Sequence, residues 1–240
     1  GLWTIVTAPS GSNARFTNAA LPNTQFQTNR AGIYTLRWTV SNPKCTAVFD
    51  EVTIEVFQQP VAGTLSPNST AVCSGASVTL TYASGIGAIG AWEQSTDNGT
   101  SWQPITPTPT NTYTFNSLTA NTQVRVQMIS VGASSGCTQT ATSNVVTITV
   151  SPNTVAGTIA GDTLACTSPV SGNLRLNGAV GSIQWQLSTN NGSSWDNITG
   201  ATSSVYNYSG ITQATLFRAL VTSGGCNQLI SNEVGVRIAT

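Results

Sequence analysis

Tyr34-Thr35-Leu36-Arg37-Trp38-Thr39-Val40 alternates apolar and polar side chains without a break. Successive side chains of a strand point to opposite faces, so Tyr34, Leu36, Trp38 and Val40 are expected on one inward face. The same period returns in Val78-Thr79-Leu80-Thr81-Tyr82, with Val78, Leu80 and Tyr82 inward. It returns in the sets Val124, Val126 and Met128; Phe217, Ala219 and Val221; and Val146, Ile148 and Val150. No stretch carries the 3.6-residue apolar spacing of a helix face, so the chain reads as all-β. Short strands divided by Gly-, Pro-, Asn- and Ser-rich turns are the pattern of a β-sandwich.

The strands fall into repeats. Val61-Ala62-Gly63-Thr64 returns as Val155-Ala156-Gly157-Thr158, and an offset of 93 then aligns Cys73 with Cys166, Trp92 with Trp185, Trp102 with Trp195, Tyr113 with Tyr206 and Arg125 with Arg218. Past that point the second copy is shorter, because residues 131–136 form a Gly/Ser-rich insertion of the kind loops tolerate. Cys137 then matches Cys226, and Ser143-Asn144 matches Ser231-Asn232. Read backwards from Asp50-Glu51-Val52, residues 1–59 match the later part of the same unit, with Trp3 in the slot of Trp185. We therefore expect a partial module over 1–59 lacking its first strands, and sandwich modules over 60–152 and 153–240. By analogy with residues 155–184, roughly 30 residues would be missing ahead of Gly1, enough for two short strands.

Charge excludes several classes. Only 7% of residues are charged, with eight basic and eight acidic side chains in balance. No basic footprint for nucleic acid and no polybasic stripe for an anionic membrane exists. No apolar run is long enough to cross a bilayer as a helix. The start, Gly1-Leu2-Trp3-Thr4-Ile5-Val6, lacks the charged and apolar regions of an export signal, so an exported chain of this sequence is expected to be part of a longer polypeptide.

Absence of histidine removes the commonest general base and rules out a Ser-His-Asp triad. A glycosidase needs two carboxylates flanking a cleft. The acids here are scattered, and the repeat replaces Asp97 by Asn190. We expect no enzyme and no catalytic residue. The pairs Asp50-Glu51 and the lone Asp97 fall short of the oxygens a calcium site takes, and no metal or other cofactor is expected.

Five cysteines are distributed by the repeat. Its register leads us to expect disulfides Cys73–Cys137 and Cys166–Cys226, each inside one module, with the partner of Cys45 upstream of Gly1. Closing a 64-residue loop would stabilise a module by ~4 kcal/mol on chain-entropy grounds. Disulfides also point to an oxidising, extracellular setting. The other reading of Cys45 is a free thiol or an intermolecular bridge. Trp3, Trp38, Trp92 and Trp185 are expected in the core, since a sandwich commonly buries a Trp on its third strand.

Ser95-Thr96-Asp97-Asn98-Gly99-Thr100-Ser101-Trp102 fits Ser-x-Asp-x-Gly-x-x-Trp, and Ser188, Asn190, Gly192 and Trp195 repeat it with Asn for Asp. It resembles the Asp-box hairpin of sialidase-type propellers, which implies a structural turn away from any catalytic centre. Asn-Gly supplies the positive φ angles that a tight hairpin needs, and Asp or Asn can accept backbone N–H bonds there.

Larger stretches carry a second likeness. Gly1 to Val6, Arg15-Phe16, Ala31 to Cys45 and Asp50-Glu51-Val52, with Cys73 to Leu80 and the two hairpins, resemble the PKD-like/Ig-like repeats of giant Bacteroidota surface proteins. The resemblance implies tandem immunoglobulin-like/PKD-like β-sandwich modules, type IX secretion, a cell-surface location, and adhesins (gliding adhesins included) or stalks. It implies no shared catalytic residues. Asp162-Thr163-Leu164 is similar to the O-glycosylation site of that lineage and makes Thr163 a candidate.

The expected function is a semi-rigid, non-catalytic extracellular rod for surface attachment, with surface glycans or other extracellular proteins as partners. Two alternatives stand beside it. One is a carbohydrate-binding module in which Trp102 or Trp195, with Tyr113 or Tyr206, forms a flat exposed platform. The other is a filament subunit in which a neighbouring chain supplies the strand that module one lacks.

Overall fold

The computed structural model describes residues 1–108, 110–130, 139–160 and 163–238, and every regular element among them is a β-strand. Module one contains β1 (Leu2–Thr7), β2 (Arg15–Phe16), β3 (Phe26–Gln27), β4 (Gly32–Asn42) and β5 (Cys45–Val56). Module two contains β6 (Thr64–Pro67), β7 (Ala71–Cys73), β8 (Ala76–Ala83), β9 (Ala88–Ser95), β10 (Gln103–Pro104), β11 (Thr112–Leu118), β12 (Thr122–Ile129), β13 (Thr140–Thr142) and β14 (Val146–Ser151). Module three repeats this set as β15 (Thr158–Ile159), β16 (Thr163–Ala165), β17 (Val170–Asn177), β18 (Ser182–Ser188), β19 (Asp196–Asn197), β20 (Val205–Ile211), β21 (Thr215–Thr222), β22 (Leu229–Ile230) and β23 (Val234–Ile238).

Modules two and three are two-layer sandwiches. The larger sheet runs β10-β9-β12-β14-β7 in module two, with β13 paired to β12, and β19-β18-β21-β23-β16 in module three, with β22 paired to β21. The smaller sheets are β11-β8-β6 and β20-β17-β15. The period-two rows meet between the layers. Val78, Leu80 and Tyr82 from β8 face Trp92, Val124, Val126, Met128 and Ile148, all buried. Leu174, Leu176 and Tyr208 face Trp185, Phe217, Ala219 and Val221. Trp92 and Trp185 are both fully buried, and each indole N–H reaches a carbonyl, Thr110 at 3.2 Å and Ser203 at 2.9 Å. Each thus fills the gap with a large apolar body while its one polar atom stays satisfied.

One asparagine stitches the layers of each sandwich. Asn144, just before β14, accepts from Leu65 N–H (2.8 Å) and donates to Leu65 C=O (2.9 Å) on β6 of the other sheet. Asn232 does the same to Ile159 at 2.7 and 2.8 Å. The serine ahead of it holds the neighbouring strand, since Val126 N–H donates to Ser143 Oγ and Ala219 N–H to Ser231 Oγ, both at 2.9 Å. Leu65 and Ile159 are buried, so these main-chain groups have no water to fall back on.

Module one has a single sheet, β1-β4-β5, and the β2–β3 hairpin. Among the described residues, no strands equivalent to β6, β7 or β8 pack against this sheet. An aromatic row lies over the sheet instead: Trp38, Trp3, Phe16, Phe26 and Tyr34 follow one another at ring-centroid spacings of 5.3, 5.8, 5.6 and 5.2 Å. Tyr34 and Leu36 are buried as expected. Trp3 and Trp38 are only half-buried, and Val40 is 47% exposed, against the expectation that the two indoles sit in the core and Val40 faces inward. The cause is the missing second layer. Near the start of β4, Tyr34 donates its hydroxyl to Arg30 C=O at 2.7 Å. Thr122 and Thr215 make the corresponding short bonds, to Ala120 and Gln213 carbonyls at 2.9 and 3.0 Å.

Replacing Asn144 by Ala leaves a buried N–H and C=O of Leu65 unpaired, and we expect a loss of about 1–3 kcal/mol in module two. Urea unfolding followed by Trp92 fluorescence measures it; an unchanged midpoint would show that the stitch contributes nothing.

Candidate functional site

Three places gather chemistry-bearing side chains: the two repeated hairpins, the open face of module one, and the junction between modules two and three.

The hairpins close around one side chain each. Asn98 and Gly99 take φ of 59° and 84°, and Asn191 and Gly192 take 54° and 83°, the left-handed pair expected from Asn-Gly. Ser95 Oγ donates to Asp97 Oδ1 (2.7 Å) and accepts from Gly99 N–H (2.9 Å). Asp97 Oδ1 accepts from Ser101 N–H (2.9 Å), and Oδ2 from the Ser101 hydroxyl (2.5 Å). Bonds from the Ser101 side chain, then its N–H, then Ser95 lower the Asp97 pKa from 3.8 to about 2. In module three Asn190 Oδ1 accepts from Ser188 Oγ (2.8 Å) and Ser194 N–H (2.9 Å), while its Nδ2 donates to Ser194 Oγ (2.8 Å). The second copy thus reproduces the turn without charge. Asp97 serves the turn, and among the described residues no second carboxylate lines the groove beside it.

Trp102 and Trp195 follow the hairpins and lie under arginines. The Arg125 guanidinium sits 4.0 Å from the Trp102 ring centroid, and its Nε donates to Glu93 Oε2 at 2.7 Å directly across the β9/β12 pair. Arg218 sits 4.0 Å from Trp195 and donates to Gln186 Oε1 at 2.8 Å. Both indoles are half-buried with one face taken by a cation. Tyr113 and Tyr206 stand on the smaller sheets and pack towards buried Trp92 and Trp185, at centroid distances of 6.3 and 5.7 Å. Trp102 with Tyr113, and Trp195 with Tyr206, therefore do not form the flat platform that the carbohydrate-binding alternative requires.

On module one, Trp3, Pro22, Trp38, Asp50, Glu51 and Val52 line a cavity of about 230 Å³. Glu51 is held by Arg37, whose guanidinium also lies 4.1 Å from the Phe49 ring centroid. Among the described residues, no group of three or more Cys, Asp or Glu is placed to hold a metal ion. Thr163 opens β16, with its backbone opposite Val236. Asp162 and the Thr163 side chain lie outside the described residues.

The junction corrects the expected disulfides. Cys73 is bonded to Cys226, with Cα atoms 5.3 Å apart, so the bridge joins module two to module three. Cys166 and Cys45 are free and exposed, and Cys137 lies outside the described residues. Strand direction gives the reason. Cys73 ends β7, which runs parallel to β14 and puts it opposite Ser151, at the module's exit. Cys226 lies in the turn after β21, at the opposite end of module three from Cys166. The eight residues of β21 alone span roughly 26 Å at ~3.3 Å each, far beyond the Cα separation that a disulfide allows. The sequence register equates Cys73 with Cys166, which stand at the ends of matching parallel strands, but says nothing about which end of the sandwich each cysteine occupies.

The turn that carries Cys226 is shaped for close approach. Gly224 has φ +50° and no room for a Cβ beside the Ser151 side chain, and a Cβ on Gly225 would lie 3.0 Å from Ala71 C=O. Ser223 N–H donates to Thr154 Oγ1 at 3.1 Å, adding a polar tie to the linker. Gly-Gly-Cys at 224–226 was the sequence signal for this contact.

Asp97 contributes stability while it is ionised. Its pKa is lowered in the fold, so that contribution is present above about pH 4 and is lost as pH falls towards 2. The Asp97→Asn variant, which copies module three, should fold normally and lack this acid-sensitive component. Denaturation midpoints at pH 5 and pH 2.5 check this; an equal acid response in both proteins would remove the role assigned to the carboxylate.

No curated protein sequence matches the chain. Among solved structures, a chain from mouse coronavirus receptor-binding domain complexed with its murine receptor matches at 14% identity and TM-score 0.51, covering 74% of this chain and all of that one. Murine CEACAM1b gives 14% identity, TM-score 0.48 and the same coverages. Domains A168-A170 of titin give 12% identity and TM-score 0.45, covering 97% of this chain and 86% of that one. These likenesses concern the fold alone. The family described as "Domain of unknown function (DUF8696)" matches residues 61–152 and again 155–240. Two successive matches on two successive sandwiches place the chain in that family, as a tandem of immunoglobulin-like β-sandwich modules.

Proposed function

We propose that the chain is a non-catalytic extracellular segment of a bacterial surface adhesin or stalk, of the Bacteroidota type IX-secreted kind, working as a semi-rigid rod. The observation that carries this reading is the Cys73–Cys226 bridge, which fixes one module to the next. A bond of this kind suits an oxidising exterior. The side chains that would have to supply chemistry already hold structure: Asp97 its turn, Glu93 the Arg125–Trp102 stack, Glu51 the Arg37 pair. Surface proteins are the favoured partners over glycans, because the candidate sugar platforms are covered.

The bridge also sets the load path. Tension applied between the chain ends passes through residues 1–73, crosses the disulfide and leaves through 226–240. The 153-residue loop between the cysteines carries none of it. At ~3.4 Å per extended residue about 500 Å of chain is kept out of extension. Single-molecule pulling should therefore show about 500 Å of additional unfolding length only after reduction. Full extension of the oxidised chain would overturn the rod reading. At the cell, replacing residues 60–240 by a flexible Gly/Ser linker of equal length should reduce attachment under flow at equal surface display; unchanged attachment would do the same.

A second reading draws on one specific feature. The β14 and β23 edges are covered by parallel β7 and β16, whereas β5 is an open edge with Val48 and Phe49 65% and 59% exposed. A strand from another chain laid parallel along β5 would complete module one, as in strand-addition complexes. Sedimentation showing monomer at every concentration would exclude this filament form.

A further inference from the structure

Cys73 and Cys166 hold one position in two copies of the module. Each stands at the end of the short parallel strand laid along β14 or β23. Cys73 closes β7 opposite Ser151, and Cys166 comes directly after Ala165, which lies opposite Ile238 at the end of β23. At that position Cys73 receives Cys226 from the late turn of the module that follows. Cys166 is exposed and unbonded. At the other junction the described residues point the same way. Ser130 and Gln139 flank residues 131–138, the counterpart of the Cys226 turn, and both line a groove with Glu55, Val56, Phe57, Gln58 and Gln59 at the exit of module one. The flanks of residues 131–138 thus lie at the exit of module one, and the Cys226 turn lies against Ser151 at the exit of module two.

We propose that the half-cystines of this chain form an intermodular ladder: the early cysteine of a module bonds to the late-turn cysteine of the next, and Cys166 is the open rung. Its partner is the late-turn cysteine of another module of this kind. Two sources share that chemistry. One is a module joined in the same polypeptide. The other is a second copy of the chain docked end to end, whose Cys45 lies exposed at the β4–β5 turn of its first module.

Bond formation removes one proton and one electron from each thiol as the S–S bond forms. A disulfide-bearing oxidant takes up both electrons and both protons, and leaves as two thiols after exchange through a mixed disulfide. The approach is prepared on the receiving side, because Cys166 is exposed as a closed Cys73 would be before its partner arrives. It is prepared on the donating side by glycines such as Gly224 and Gly225, which let the late turn lie against the neighbouring strand.

Disulfide mapping by mass spectrometry on unreduced digests tests the ladder. Two proteins are oxidised with glutathione disulfide: the 240-residue chain, and the same chain extended after Thr240 by a further copy of residues 155–240 in which Asn227→Gln marks the late-turn peptide by mass. We expect Cys73–Cys226 in both, and in the extended chain a bond from Cys166 to the added copy of Cys226. Cys166–Cys45 oligomers of the unextended chain at high concentration, reduced at least tenfold by Cys166→Ser, would show that a second chain also serves; their absence, with the extended chain cross-linked, assigns the rung to one polypeptide. The Cys166→Ser protein should keep the thermal midpoint of the parent, which separates loss of the bond from loss of the fold. A Cys166–Cys226 or Cys166–Cys137 bond, or a free Cys166 thiol in the extended chain, overturns the ladder. The rod reading is decided separately by pulling and flow attachment.

Discussion

The indoles of Trp92 and Trp185 fill the centre of the space between the two sheets of each sandwich. A sandwich is closed by the side chains of its inner faces, which interdigitate across a gap of about 10 Å. In modules of this size the inner rows are short, and each has one large side chain at its centre. Around Trp92 the rows of β8, β12 and β14 meet; around Trp185 those of β17, β21 and β23 do. Where the opposite layer is absent the consequence is visible in the same chain. Trp3 and Trp38 keep the positions that the strand register gives them, and Trp3 donates to Pro22 C=O at 3.3 Å, yet both stay half-exposed. Their burial depends on a second sheet, and the aromatic row to Tyr34 substitutes for only part of it.

That contrast explains how much of the fold could be read from the residues alone. Period-two alternation is a property of single strands, and it placed Val78, Leu80, Tyr82, Val124, Val126, Met128, Phe217, Ala219 and Val221 correctly on inner faces. The hairpins were equally legible, because Asn98-Gly99 and Asn191-Gly192 answer to local backbone demands. Alternation fails for Val40, since whether a face is covered is decided by other strands. The arginine stacks on Trp102 and Trp195 were hidden for the same reason. They arise from the pairings Arg125 with Glu93 and Arg218 with Gln186 across neighbouring strands, which a linear sequence does not display.

Low charge becomes understandable on this view. The chain uses amide and hydroxyl side chains where other proteins use ion pairs: Asn144 and Asn232 between layers, Ser143 and Ser231 on the neighbouring strand, Asn190 in place of Asp97. Neutral groups hold buried main-chain atoms without the desolvation penalty of a charge. They are also insensitive to salt, which screens exposed ion pairs over about 10 Å.

The cysteines show what a repeat can and cannot dictate. Equivalence between copies follows from sequence; pairing follows from which end of a sandwich each thiol occupies, and strand direction decides that. Energetics alone would not have chosen. Closing the observed 153-residue loop rather than a 64-residue one inside a module changes the entropic cost by only about 0.8 kcal/mol, because the cost grows with the logarithm of length. The two arrangements differ far more in what they constrain. A bridge within a module strengthens a core that Trp92 and Asn144 already hold. A bridge between modules acts on the relative orientation of two bodies that otherwise share a short linker and a few polar contacts, which is the least constrained degree of freedom in a tandem chain.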